Sequence, residues 1–200
     1  KLMKQFLFLI LVCYSSIFIA QVPDYYNDVN LSLTGVNLKA ALATKITNTH
    51  TNNLSYTPDI WEASKITDIN PDNSNEILLI YGYEDGSDTD ITNNRVAGIN
   101  DNGSGSGLWN REHAYSNSLA TPDLDDSSEN GPPYADAHNL RPCNGQRNSS
   151  RGNRKFSDST GTESGETSES YTNSNGNNQN GWYPGDEWKG DVARMMMYMY

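Results

Sequence analysis

Cysteine is scarce in this sequence. Only Cys13 and Cys143 occur among 200 residues, and Cys13 lies in an N-terminal segment that we expect to be removed. The remaining cysteine can form no internal disulfide, and the chain lacks the paired cysteines of a zinc-binding domain. Any metal ion must therefore be held by oxygen and nitrogen atoms.

Basic residues are also few. The chain has 14 Lys and Arg against 25 Asp and Glu, a net charge of −11. This total argues against a phosphate-rich partner, because phosphate affinity comes largely from basic side chains. The distribution of the basic residues favours such a partner, since residues 136–156 carry five basic side chains and one acid. The five are Arg141, Arg147, Arg151, Arg154 and Lys155. A local basic patch on an acidic body is typical of an enzyme that engages phosphate at one face.

Long apolar runs are rare as well. The one long run, residues 6–19, follows Lys1 and Lys4, which is the charged-then-apolar pattern of a secretory signal. It is shorter than the roughly twenty apolar residues that a membrane span needs. We expect residues 1–20 to be a signal peptide and the protein to be secreted or periplasmic, with no other membrane attachment. A membrane anchor is the alternative.

Apolar residues make up only 35% of the chain, but twelve Tyr and four Trp favour a folded protein over a disordered one. Residues 21–200 are enough for one domain and too few for two comfortable ones. We expect a monomeric, single catalytic domain with long polar loops. The longest is expected at 157–180, where Ser, Thr, Gly, Asn and Glu predominate.

Helical patterns occur in four segments. Apolar residues recur at helical spacing in 33–46 and in 189–200, and Pro58 suits the first turn of a further helix. Residues 144–153 are predicted as a short basic helix. Because the pattern of the last segment continues to the final residue, we expect the natural chain to extend further.

Strands are predicted at 75–83, a continuous apolar run (NEILLIYGY), and at 140–143. Another is expected to start at Leu108 and Trp109, after a flexible glycine-rich turn at 103–107. The mixture predicts an α+β fold of helices and short strands.

Three stretches are dense in residues that bind metal ions or phosphate: WNREH at 109–113, DAHNLRP at 136–142 and NSSRGN at 148–153. Taken singly, each is common on surface strands and in loops. Together, EHAYSNS, DAHNLRP and N-x-x-R-x-N resemble the bacterial endonuclease I family of secreted or periplasmic nucleases with a ββα-metal (His-Me finger) site. The resemblance covers roughly 33–200. The chain departs from it in lacking the disulfides that several members carry and in the acidic segment at 157–180.

The resemblance implies that His113 is the general base and that Glu112 and Asn148 hold one Mg²⁺, for which Ca²⁺ or Mn²⁺ could substitute. The chemistry agrees with these roles. A histidine with an ordinary pKa near 6.5 is mostly neutral at pH 7 and accepts a proton from water. Mg²⁺ prefers oxygen ligands, keeps several waters and stabilises charge on phosphoryl oxygens.

Other motif residues are expected around this centre. Arg151 and Arg147 are candidate phosphate contacts, because a guanidinium donates two hydrogen bonds at once. Asp136, His138 and Asn139 are expected to shape the site, and structural hydrogen bonding is favoured over catalysis for His138.

The pair of Glu112 and His113 poses a geometric problem. Neighbours on a regular strand point to opposite faces, yet both side chains must reach one phosphate. We therefore expect the strand to end or bulge at this pair.

The function implied is a secreted, metal-dependent, non-specific endonuclease that cuts DNA and could also cut RNA. An extracellular ribonuclease with the same site is the nearest alternative, because a water-activating single-metal site needs no 2′-hydroxyl. A calcium-binding adhesion module is a second, suggested by Asp85, Asp88 and Asp90, although their spacing is not that of an EF-hand. A third alternative is a protein that keeps the nuclease scaffold but has lost activity. The presence of Glu112, His113 and Asn148 argues against it.

Overall fold

A computed structural model describes residues 22–84, 89–124, 131–157, 171–174 and 180–200, and gives only the course of the backbone for 171–174 and 180. The expected signal peptide lies outside these residues. The chain forms two compact units that divide between Thr51 and Asn52. Within the described residues, no helix is both long enough and apolar enough to cross a bilayer.

The first unit contains a short 3₁₀ helix, Asp24–Tyr26, and helix α1, Gly35–Thr49. Helix α1 confirms the helix predicted at 33–46. Leu38 and Ile46 lie on its half-buried side, at the spacing that places residues on one face of a helix. Val36, from the same apolar pattern, is 79% exposed.

The second unit carries the remaining elements. In chain order they are α2 (Asp59–Thr67), β1 (Glu76–Leu78), β2 (Val96–Gly98), β3 (Trp109–His113), a 3₁₀ helix (Asn117–Leu119), β4 (Leu140–Asn144), α3 (Gly145–Arg151), β5 (Tyr171–Ser174), β6 (Asn180–Tyr183) and α4 (Lys189–Met199). The strands form three antiparallel pairs, β1 with β2, β3 with β4 and β5 with β6. The mixed α+β prediction is confirmed.

The apolar run at 75–83 is only partly a strand. β1 ends at Leu78, and the chain then turns, with Gly82 N donating to Leu79 O at 3.0 Å. Ile80 N donates instead to the carbonyl of Pro142, at 2.8 Å, so the second half of the run is bonded to a different partner. The apolar pattern predicted burial correctly, but burial alone does not fix the backbone conformation.

The β3–β4 hairpin is held by three apolar clusters. Trp109 packs with Ile77 and Leu79, Leu140 belongs to the cluster around Ile60, and Cys143 lies in the largest cluster. Burial of one such aliphatic side chain stabilises the fold by roughly 2 kcal/mol. Because each cluster contains a residue of β3 or β4, the hairpin is anchored along its whole length.

Two other predictions fall partly outside the described residues. Of the predicted loop at 157–180, residues 158–170 and 175–179 are not described, and Tyr171–Ser174 pairs with β6 as a strand. Of the calcium-loop candidates, Asp85 and Asp88 are not described. Asp90 accepts hydrogen bonds from the backbone nitrogen and the hydroxyl of Thr92, at 3.0 and 2.7 Å, which is an ordinary turn contact.

Candidate active site

The site is built on two strands and the helix that follows them without a linker. β3 pairs antiparallel with β4 so that Glu112 lies opposite Arg141 and His113 opposite Leu140. Asn144 is the last residue of β4, and its side-chain oxygen caps α3 by accepting from the backbone nitrogens of Gln146 and Arg147, at 2.9 and 3.2 Å. An asparagine cap starts a helix at this position, so the three elements form one ββα unit.

One face of helix α3 lies against β3. Asn148 and Arg151 are three residues apart, which places them on the same side of a helix. The amide nitrogen of Asn148 donates to Oδ1 of Asn110 at 2.7 Å, and Arg151 reaches Glu112. The distant segments that the sequence singled out are therefore adjacent.

Glu112, His113 and Asn148 line one open cleft of about 290 Å³. The strand ends at His113, as the geometry of the pair requires. The other lining residues are Arg111, Ser116, Asn117, Ser118, Arg151, Gly152 and Asn153. No group of three or more His, Cys, Asp or Glu side chains within the described residues is arranged to hold a metal ion, so oxygen atoms of other residue types must contribute to any metal site here.

The carboxylate of Glu112 is buried, with 2% of the residue exposed. Its Oε1 accepts hydrogen bonds from the hydroxyl of Tyr81 and from Nη1 of Arg151, both at 2.9 Å. Burial raises the pKa of Glu112 to about 7, although the charge of Arg151 and the hydrogen bond from Tyr81 act to lower it. Burial also raises the pKa of Tyr81 well above its ordinary value, so this phenol is protonated and donates.

The imidazole of His113 is fixed by a backbone carbonyl. Nε2 lies 2.8 Å from the oxygen of Tyr134. A carbonyl only accepts, so Nε2 carries the proton and the lone pair of the neutral ring is at Nδ1. Burial lowers the pKa of His113, and the positive charges of Arg111 and Arg151 lower it further. The hydrogen bond to Tyr134 acts in the opposite direction. The ring is therefore neutral at pH 7.

Aromatic rings support the imidazole. Tyr56 stacks on His113 with ring centroids 5.7 Å apart and planes at 14°, and Tyr134 lies at 4.7 Å. The guanidinium of Arg111 lies 3.6 Å from the centroid of Tyr56 and 4.0 Å from that of Trp61. The four side chains form a column, Trp61–Arg111–Tyr56–His113, that holds the ring in place.

The two arginines expected to contact phosphate have other partners in this structure. Arg151 is 2% exposed. Besides Glu112, its guanidinium donates to the carbonyls of His113 and Ala114, each at 2.9 Å. Arg147 lies outside the cleft lining and donates from Nε to the carbonyl of Thr92 at 2.7 Å. Their phosphate contacts stay predictions.

The chain is similar to a known protein family over most of its length. Residues 34–200 match the family model described as Endonuclease I. The chain belongs to the endonuclease I family. The resemblance found in the three sequence motifs is thereby confirmed.

Two curated relatives in this comparison are both named extracellular ribonuclease. The protein from Bacillus subtilis (strain 168) is 39% identical over 182 residues, which cover 90% of this chain and 54% of the relative. The protein from Bacillus amyloliquefaciens is 37% identical over 182 residues, covering 90% of this chain and 53% of the relative. The chain thus spans about half the length of these relatives. No solved structure matches it.

In this endonuclease I chain, the residues expected to shape the site make structural hydrogen bonds. Asn139 is fully buried, and its side chain bonds both the nitrogen and the carbonyl of Tyr115, at 2.7 and 3.1 Å. It thereby fixes the chain directly after His113. Asp136 accepts from the ring of His138 at 3.1 Å and from Tyr198 at 2.9 Å. His138 lies outside the cleft lining.

Sequence reasoning missed four residues around Glu112 and His113. Tyr56 and Tyr134 hold His113, Tyr81 holds Glu112, and Arg111 completes the stacked column. Arg111 lies inside the WNREH motif. The tyrosines lie in unrelated segments, and their only signal was that tyrosine is abundant in the chain.

Proposed function

We propose that the protein is an extracellular, metal-dependent nuclease that hydrolyses phosphodiester bonds of DNA and RNA without sequence preference. The observation that carries the proposal is that Glu112, His113 and Asn148 line one cleft. The N-terminal signal pattern and the names of the Bacillus relatives support an extracellular location.

The residues of the cleft fit a divalent cation with hard oxygen ligands. Oε1 of Glu112 is taken by Tyr81 and Arg151, and among the described residues no group donates to Oε2. The amide nitrogen of Asn148 is bonded to Asn110, so its oxygen is the end left for a ligand. One carboxylate and one amide oxygen in an open, hydrated cleft suit Mg²⁺, with Mn²⁺ or Ca²⁺ as substitutes. When bound, the ion would neutralise charge on the phosphoryl oxygens.

His113 supplies the base in this proposal. Nδ1 accepts a proton from a water molecule while the water oxygen forms its bond to phosphorus and the bond from phosphorus to the leaving sugar oxygen breaks. The leaving oxygen takes up a proton from a second water molecule and departs as the alcohol. The carbonyl of Tyr134 holds Nε2 at 2.8 Å and so keeps the lone pair at Nδ1. The lowered pKa of His113 keeps this base unprotonated at neutral pH.

This chemistry does not discriminate strongly between nucleic acids. Attack by water on phosphorus does not use a 2′-hydroxyl, so both DNA and RNA can react, and contacts to the phosphate backbone carry no base identity. The printed names of both relatives refer to ribonuclease, which supports including RNA among the substrates.

The test is cleavage by the purified protein of supercoiled plasmid, single-stranded DNA and RNA, with Mg²⁺ and with EDTA. We expect all three to be cut with Mg²⁺ and none with EDTA. His113→Ala should reduce the rate about a hundredfold or more, while the matched variant His138→Ala, whose ring lies outside the cleft lining, keeps most of it. Cleavage in EDTA would refute the metal role, and full activity of His113→Ala would refute the base assignment.

A further inference from the structure

Tyr81 has an unusual backbone for a tyrosine. Its φ is +70°, and it is the one non-glycine residue of the described chain with a positive φ. That conformation is costly for a residue with a large side chain, and it persists only where the surroundings enforce it. The adjacent Gly82 is equally constrained, because a Cβ there would lie 2.3 Å from the carbonyl oxygen of Asn94.

The strained turn places the phenol of Tyr81 against the carboxylate of Glu112. The residue is fully buried, and its ring packs against Trp182 at 5.6 Å and Phe156 at 6.2 Å between centroids. Its hydroxyl donates to Oε1 of Glu112 at 2.9 Å. The phenol is therefore held from behind by the core and directed at one oxygen of one carboxylate.

Arg151 acts on the same oxygen from the other side. Its Nη1 donates to Oε1 of Glu112 at 2.9 Å, and the guanidinium is itself fixed by the carbonyls of His113 and Ala114. Two buried donors therefore share Oε1. Among the described residues no group donates to Oε2, so Oε2 is the oxygen of Glu112 that remains for a ligand in the cleft that this residue lines.

We propose that Tyr81 is a positioning residue for Glu112, acting with Arg151 to hold Oε1 so that Oε2 is presented to the divalent cation. The inference rests on the proposed nuclease function, because it assumes that Glu112 binds the ion. Partners behind a metal ligand orient it, and their loss typically weakens metal binding or activity.

The test is the affinity of the metal-free protein for Mn²⁺, measured by isothermal titration without substrate. Tyr81→Phe removes only the hydroxyl and keeps the ring packing, and its melting transition checks that it is folded. We expect its Kd for Mn²⁺ to rise about tenfold. Saturating Mn²⁺ should then recover most of the cleavage rate, because the defect is in binding the ion.

Two further variants make the result decisive. Tyr198→Phe is the matched control, because it also removes a 2.9 Å hydrogen bond from a phenol to a buried carboxylate, that of Asp136, away from the cleft lining. Its Kd should match that of the wild type. Glu112→Gln should lose Mn²⁺ binding.

Three other combinations of these Mn²⁺ binding results would each overturn a specific statement. If Tyr81→Phe binds Mn²⁺ as the wild type does while Glu112→Gln does not bind, the positioning role is wrong and the nuclease proposal stands. If Tyr81→Phe and Tyr198→Phe weaken binding equally, the effect is a general loosening and the positioning role is again wrong. If Glu112→Gln binds normally, the metal site is wrong, and the positioning role with it.

Discussion

Nη1 of Arg151 lies 2.9 Å from Oε1 of Glu112, and each side chain is only 3% exposed. A buried ion pair is rarely a net source of stability, because both charges lose their hydration. Removing one partner is nevertheless strongly destabilising, since the other charge is left buried alone. The pair therefore ties the stability of the hairpin to the charge state of the residue proposed to bind the metal.

Replacing Arg151 should destabilise the metal-free protein in a pH-dependent way. We expect Arg151→Met to lower the free energy of unfolding by about 3–5 kcal/mol at pH 8. The loss should be smaller at pH 5. Burial already raises the pKa of Glu112 to about 7, and without Arg151 the pKa rises further. The stability contributed by the protonated carboxyl is complete below its unfolded pKa near 4.5 and is lost as pH rises through the folded pKa.

Urea unfolding at the two pH values measures this effect. The control is Arg194→Met, which removes an exposed pair with Asp191 and should cost less than about 1 kcal/mol at either pH. A loss for Arg151→Met that is the same at pH 5 and pH 8 would contradict the coupling to Glu112.

The pH dependence of cleavage should show a base with a low pKa. Burial lowers the pKa of His113 below its ordinary value of 6.5, so the ring is already unprotonated at pH 7. With saturating Mg²⁺, we expect kcat to reach its plateau at a lower pH than a histidine of ordinary pKa would allow, and to fall below that plateau as Nδ1 becomes protonated. The measurement is kcat on plasmid DNA between pH 5 and pH 9. A rise in kcat centred above pH 7 would mean that another group is the base.

The stacked column should matter for catalysis more than for substrate binding. Tyr56 lies between His113 and the guanidinium of Arg111. In Tyr56→Ala the imidazole loses one supporting face, so we expect kcat to fall about ten- to a hundredfold with a smaller change in KM. Tyr56→Phe keeps the ring and should retain most of kcat. Steady-state kinetics of both variants decide the point, and equal losses would show that the hydroxyl rather than the stack is important.

The parts of the site that are local in sequence could be predicted. Glu112 and His113 are adjacent, and the strand was expected to end at them, as it does. Asn144 carries a helix-capping side chain immediately before a short basic segment, and α3 begins there. Such features depend on neighbouring residues, whose types and spacing are visible in the sequence.

The supporting contacts could not be predicted, because they join residues far apart in the chain. Tyr81 is 31 residues from Glu112, and Tyr134 is 21 residues from His113. A sequence motif also does not show which way a long side chain points. The guanidinium of Arg151, a candidate phosphate contact, is turned inward to a carboxylate and two carbonyls, and its contact with phosphate stays a prediction.

The absence of any linker between β4 and α3 has a consequence for how this protein can change. One residue inserted after Asn144 would rotate the helix by about 100° and turn Asn148 away from Glu112. The chain between His113 and Leu140 is constrained in a different way, because the carbonyl of Tyr134 holds His113 and the side chain of Asn139 bonds Tyr115. A change of length in that connection would leave His113 in place only if both of these contacts were kept.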